Sequence, residues 1–285
     1  MITSERKETA PYLFLDMTKT FEAIVVGLGA MGSASLYQLA KSGRKVLGID
    51  QFSPPHIQGS THGETRITRQ AIGEGEHYCA LSLRSYEIFR ELEKESGRSL
   101  LQITGGLIIS SDSKTSAVHV GDLYEVTVRA AKNLGIKHDL LDAKDIRTRF
   151  PQFNISDTEY AYYEYDAGVL RPEECVRANL ECAKRFGANV KTDGVVSSFR
   201  EEAGGVRVFC NDGEEFTAEK LVVSVGSWLP ELIGADIAKH FSVHRQVLFW
   251  FDVQQNYECF VPSKMPIWIW KCNKKGQNLC MGFPR

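Results

Sequence analysis

Three glycines and one acid carry the first chemical signal. Gly27, Gly29 and Gly32 stand in the spacing G-x-G-x-x-G, and Asp50 follows 18 residues after the last of them. In that spacing the first glycine permits a tight strand-to-helix turn. The second lets a pyrophosphate approach the backbone, and the third lets a helix press on a sheet. Unpaired amides at the helix start would hold the pyrophosphate, and an acid at the tip of the next strand can accept hydrogen bonds from a ribose. Asp50 would repel a ribose 2′-phosphate, which favours FAD or NAD over NADP. A second cluster follows. His56, His62, Arg66 and Arg69 fall within 52–75, a stretch with few helix or strand signals, and long irregular stretches inside compact domains are usually functional. If this one turns helically, Arg66 and Arg69 point the same way, and two guanidiniums beside a dinucleotide site suit an anionic substrate. Surface arginines paired with Glu64 or Glu74 explain the spacing equally well.

The elements that would position these groups are readable from periodicity. Ala23 to Val26 is a short apolar run of the kind found in buried parallel strands. Leu36, Leu39 and Ala40 give the segment after the glycines a helical apolar face that Gly43 can cap, and 45–49 reads as a second strand. Further on, 78–95, 117–134, 143–150 and a segment opening at Arg171-Pro172-Glu173 read as helices, the last with proline in its first turn. Strands are expected at 104–110, 137–141, 159–170, 189–191, 195–199, 206–210, around Phe216, at 220–225, and at 247–253, 267–270 and 279–283. Gly204-Gly205 and Asp212-Gly213 supply turns, and Gly226-Ser227-Trp228 closes the 220–225 strand. An Asn273–Gly276 turn separates the last two strands. The tyrosine stripe Tyr160, Tyr162, Tyr163 and Tyr165 reads as sheet packing.

Composition narrows the classes. With 285 residues, 43% hydrophobic and 25% charged, the chain can bury a large core and is expected to form two domains. A net charge of −2 leaves no basic footprint for nucleic acid. No apolar run reaches the ~18 residues of a membrane helix. The seven cysteines form neither C-x-x-C nor a zinc spacing, so no metal site is expected and the thiols point to a reducing compartment. Residues 1–20 mix acids and bases around a short apolar run and read as a flexible extension, without signal or transit character.

At His62-Gly63-Glu64-Thr65-Arg66-Ile67-Thr68-Arg69, followed by Gly73-Glu74-Gly75, the sequence resembles the monomeric sarcosine oxidase and N-methyl-L-tryptophan oxidase family. The resemblance extends over 23–27, Pro54-Pro55-His56, Gly59-Ser60, the 78–95 helix, Ala167 to Leu170, Asp212-Gly213 and Val222 to Trp228. It implies an α/β chain with a glutathione-reductase-like, FAD-binding Rossmann domain and a second, α+β substrate domain built on a mixed or antiparallel sheet. The expected boundaries are 21–103 with 171–241 for FAD, and 104–170 with 242–285 for substrate.

It also implies roles. Gly27, Gly29, Gly32 and Asp50 would hold the ADP half of FAD, with Val196 on the adenine side and Gly226 and Trp228 lining the crevice. Ser60 and His62 would lie near the flavin, His62 among the catalytic groups. Arg66 would lie against the flavin face and Arg69 would bind the substrate carboxylate. The implied reaction oxidises the C–N bond of an N-methyl amino acid with oxygen as acceptor, in a cytoplasmic monomer, or a peroxisomal one if a C-terminal address lies further on. Family members run on for roughly another hundred residues, so the expectation is a chain lacking the family's C-terminal catalytic quarter. That quarter carries the oxygen-activating and carboxylate-binding lysines, a pocket histidine and the flavin-linking cysteine. Met281 stands where the family has a pocket tyrosine. An NAD-dependent dehydrogenase, or a non-catalytic dinucleotide-binding module, remain open as other readings of the same glycines.

Overall fold

Ala23 and Val25 face one side of their strand and Ile24 and Val26 the other, and all four are buried. A strand buried on both faces belongs inside a parallel sheet with layers above and below. The computed structural model, which describes residues 19–111, 123–271 and 279–284, places it there. The chain runs β1 (Lys19–Val26), α1 (Ala30–Lys41), β2 (Val46–Ile49), β3 (Arg66–Thr68), α2 (His77–Ser96), β4 (Leu101–Ile103) and β5 (Gly106–Ser111). It continues through α3 (Leu123–Leu134), β6 (His138–Leu141), α4 (Ala143–Arg149), β7 (Glu159–Glu164), β8 (Gly168–Leu170) and α5 (Pro172–Arg185). The remaining strands are β9 (Asn189–Lys191), β10 (Val196–Glu202), β11 (Gly205–Cys210), β12 (Glu215–Val223), β13 (Ile267–Lys271) and β14 (Leu279–Gly282).

The first sheet has the order β10-β11-β12-β1-β2-β9. Its centre is parallel, with β1 between β2 and β12. Ala23 and Val25 pack with Leu36, Tyr37 and Ala40 of α1 and Val176, Leu180 and Ala183 of α5. Ile24 and Val26 pack on the opposite side with Leu47, Ile49, Val208 and Phe216. The second sheet, β14-β13-β5-β7-β6, is mixed: β13 and β5 run parallel and the other pairs antiparallel. The fold is thus α/β with a parallel-centred sheet and a second mixed sheet. A third, small sheet has the order β3-β8-β4.

Several expectations change. The 52–75 stretch contains β3, because Arg66, Ile67 and Thr68 pair with Leu170, Val169 and Gly168 of β8. The segments around Phe216 and at 220–225 are one strand, β12, which carries antiparallel pairs to β11 and parallel pairs to β1. The aromatic run at 247–253 forms no strand. Phe249 and Phe251 are 73% and 83% exposed; aromatic composition suits a strand, but a strand also needs a paired neighbour to take its backbone hydrogen bonds. The 117–122 part of the expected third helix, residues 1–18 of the expected extension, Cys272 and the Asn273–Gly276 turn lie outside the described residues. Among the described residues no helix is long and apolar enough to cross a membrane.

The strand–turn–helix joint between β1 and α1 has no room for a side chain at Gly32. A Cβ on Gly32 would stand 1.7 Å from the Gly27 carbonyl oxygen and 2.5 Å from Ser224 Oγ. Backbone cannot yield as a flexible side chain can. Gly32→Ala is therefore expected to cost more than the roughly 1–3 kcal/mol usual for overpacking, read as a lowered urea midpoint or loss of soluble protein. A wild-type midpoint would contradict this packing.

Candidate active site

A cavity of about 690 Å³ opens at the carboxyl ends of β1, β2 and β12, against the start of α1. This is the crevice where open α/β sheets bind ligands. Gly27 turns the chain from β1 into α1 at φ +84°, a conformation that excludes most side chains, and a Cβ there would also press on the Ser224 carbonyl at 2.6 Å. Ser224 closes the joint by donating its hydroxyl to the Gly27 carbonyl at 2.7 Å. The helix's own ladder begins at Ser33, whose N–H donates to Gly29 O. The amides before it belong to the unsatisfied first turn that attracts anions. Ala30 N–H donates to the Thr61 hydroxyl at 3.2 Å. Gly29 differs from its neighbours. A Cβ there would meet only Thr61 Oγ1, at 3.3 Å, and would otherwise project toward the cavity.

Asp50 lies at the tip of β2 and lines the cavity. One carboxylate oxygen accepts the Leu28 amide at 2.6 Å and the other the Phe52 amide at 2.9 Å. His56 Nε2 stands 3.6 Å away. A carboxylate has about four acceptor positions, so two backbone bonds leave capacity for ribose hydroxyls. The far wall is aromatic, with Phe52 edge-on to Trp228 at 5.7 Å. Room beside Gly29, a helix start and a partly free acid together fit the ADP half of a dinucleotide.

The structure brings Gly27, Gly29, Asp50, Ser60, Arg66, Val196, Gly226 and Trp228 to this one cavity. Gly32 lies behind it as packing. His62 and Arg69 are outside its lining. The arginines are not brought together: a helical turn would have placed them on one face, but Arg66 opens the extended β3 and Arg69 lies just past its end. Arg66 lines the cavity and donates to the carbonyls of Thr65, at 2.6 Å, and Ser60. Ile67 points into apolar clusters with Ala71 and Ile108 on one side and Val169 on another. Arg69, one residue past the strand, pairs with Glu74 at 2.5 Å. That is the partner expected for a surface arginine, yet its side chain is only 14% exposed, and its Nε is buried without a partner.

Two groups that sequence reasoning missed hold this loop. Glu173, in the first turn of α5, accepts the amides of Gly63 and Glu64 at 2.7 and 3.2 Å. Glu164, 1% exposed, accepts the amides of Gln70 and Ala71 at 2.6 and 3.0 Å and the Tyr162 hydroxyl at 2.9 Å. Burial pushes the Glu164 carboxyl above its ordinary range, although these donors and the Arg69 charge pull it down. Thr61 was also missed. Partners some 31 to 110 residues apart leave no local signature, although a glutamate in a helix's first turn is a weak one.

Fold and cavity define a dinucleotide-binding α/β protein whose nucleotide crevice carries an arginine on its wall. A model of the FAD dependent oxidoreductase family matches residues 22–266, and the chain belongs to that family, with FAD as its cofactor. It is 40% identical to a monomeric sarcosine oxidase of Streptomyces avermitilis over 269 residues, 94% of this chain and 67% of the relative. It is 33% identical to an N-methyl-L-tryptophan oxidase of Yersinia pestis over 229 residues, 79% of this chain and 60% of the relative. Among solved structures it resembles the open form of a point mutant of NikD, an unusual amino acid oxidase essential for nikkomycin biosynthesis. The TM-score is 0.72 at 22% identity, over 94% of this chain and 66% of that one. The chain thus spans 60–67% of the length of these curated relatives.

A side chain at Gly29 would meet only the Thr61 hydroxyl, which can give way, so this position separates binding from folding. Gly29→Val is expected to leave stability within about 1 kcal/mol of wild type and to raise the FAD dissociation constant at least tenfold. Fluorescence titration and urea unfolding measure the two. An unchanged FAD affinity would remove Gly29 from the cofactor cradle.

Proposed function

We propose that this chain carries the cofactor-binding part, and a share of the substrate site, of an FAD-dependent oxidase acting on the C–N bond of N-methyl amino acids. One observation carries the reading: a nucleotide cradle has Arg66 in its wall, and Arg69 follows directly on the three-residue strand that Arg66 begins. The names of the relatives, sarcosine oxidase and N-methyltryptophan oxidase, support the substrate class. The overall reaction balances as N-methyl amino acid plus oxygen plus water giving the demethylated amino acid, formaldehyde and hydrogen peroxide. FAD supplies the two-electron acceptor that oxygen restores.

The chain's own residues bind and orient. Gly27, Gly29 and Asp50 hold the ADP half, Val196 flanks the adenine, and Ser60, Gly226 and Trp228 border the crevice. Arg66 presents a fixed positive charge at the flavin end, where negative charge accumulates on reduction. His62 belongs to the same loop and is assigned to the flavin surroundings. Arg69 takes the substrate carboxylate, exchanging Glu74 for it, and a guanidinium fork suits a carboxylate bidentately. Fixing the carboxylate fixes the amine. The division into 21–103 with 171–241 and 104–170 with 242–285 follows the two large sheets, with β8 reaching across to β3 and β4. The reading includes a monomer in the reducing cytoplasm, supported by the free thiols of Cys79, Cys175, Cys182, Cys210, Cys259 and Cys280.

The purified chain supplied with FAD is expected to show a flavin spectrum and to release peroxide with sarcosine or N-methyltryptophan. In an active preparation, Arg69→Lys should raise KM at least tenfold with a smaller change in kcat, because lysine lacks the planar fork. A chain that takes up no flavin and yields no peroxide with any N-methyl amino acid would end this reading.

A further inference from the structure

The segment that follows β3 is held more completely than a loop requires. Arg69 O accepts the Ser82 hydroxyl at 2.5 Å. The next two amides, of Gln70 and Ala71, go to the two oxygens of Glu164. The amide after those, of Ile72, lies 3.2 Å from Cys79 Sγ. Side chains from α2 and β7 therefore take four successive backbone groups from the Arg69 carbonyl onward. Glu164 is the centre of this arrangement, because it alone spans two successive amides, one with each carboxyl oxygen. Turning both amides toward one carboxylate dictates the direction in which the chain leaves β3, and with it where the Arg69 stem begins. The site is an expensive place for an acid: it is buried, and burial holds the carboxyl above its ordinary range. Groups kept at such cost cluster where position matters to function.

We propose that Glu164 is a positioning residue for Arg69, acting through the Gln70 and Ala71 amides to aim the guanidinium at a ligand carboxylate. The inference rests on the reading of Arg69 as the carboxylate site. Glu164 touches no substrate. Glu173 makes the same kind of grip at the opposite end of the strand, on Gly63 and Glu64, and supplies an internal control.

The test uses the full chain with FAD supplied and acetate as the probe, its dissociation constant read by ligand-observed NMR. Glu164→Gln keeps size and shape but replaces one acceptor by a donor. It is expected to weaken acetate at least tenfold while FAD affinity stays within about threefold of wild type. Glu164→Asp, which keeps the charge, should recover part of the loss. Glu173→Gln should leave acetate affinity within about threefold. Two results overturn the proposal: acetate affinity unchanged in Glu164→Gln, or acetate and FAD affinities falling together in it, the mark of general loosening. An equal acetate loss in Glu173→Gln also overturns it, since any disturbance of β3 would then suffice. Arg69→Lys separates the two levels. If it weakens acetate and Glu164→Gln does not, only the positioning role falls. If it does not, the Arg69 reading falls and this inference with it.

Discussion

The closeness of α1 to the end of β1 is the constraint on which the rest depends. Gly32 stands over the Gly27 carbonyl with no room for even a methyl group. Because the helix comes that near, its first amides arrive at the mouth of the parallel sheet, level with Asp50 at the tip of β2. A helix displaced outward by one side chain would carry its N-terminus away from the crevice. Ser224 joins β12 to the same point through the Gly27 carbonyl, so three central strands and one helix share a junction. Close packing makes such a junction stiff, and stiffness there keeps the cavity open at a defined width.

A second device recurs around the site: a carboxylate that grips two backbone amides. Asp50 holds Leu28 and Phe52, Glu164 holds Gln70 and Ala71, and Glu173 holds Gly63 and Glu64. Glu93 of α2 does the same for Leu100 and Leu101 at 2.8 and 3.0 Å. Hydrogen bonds to a charged acceptor contribute about 1.5–3 kcal/mol each, enough to hold a loop without regular structure. Depth decides what the acid itself experiences. In Glu93 burial raises the carboxyl, but the amides and Arg90 offset it and the net shift is downward. In Glu164 the same two-amide grip is outweighed by burial.

These grips explain how an irregular stretch can deliver charge to fixed places. Between Phe52 and Gly75 the only regular element is three residues long. Pairing with β8 sets its register, glutamates hold the amides on either side, and the strand's alternation sends Ile67 into apolar packing. Arg66 then faces the nucleotide cavity, while Arg69 lies beyond the strand beside Glu74. The two guanidiniums lie in different places because the chain here is extended and not helical, and only a helix brings residues three apart to one face.

The nucleotide half was legible in the sequence because its signals are local. Gly27, Gly29, Gly32 and Asp50 meet requirements of turn, approach and packing set within 24 consecutive residues, and the apolar run of β1 reports its own burial. The helices announced themselves through period and caps for the same reason. The arginine loop was legible as chemistry but not as geometry, since β3 exists only by pairing with β8, about a hundred residues away. The aromatic run around Phe249 shows the converse failure: composition suited to a strand forms none without a partner to complete its hydrogen bonds. Glu164 and Glu173 were invisible for want of any sequence pattern that links an acid to distant amides. Sequence alone determined the cofactor cradle, whose constraints lie between near neighbours. Tertiary structure alone decided where the two arginines point, because strand pairing and buried carboxylates act between residues the chain keeps far apart.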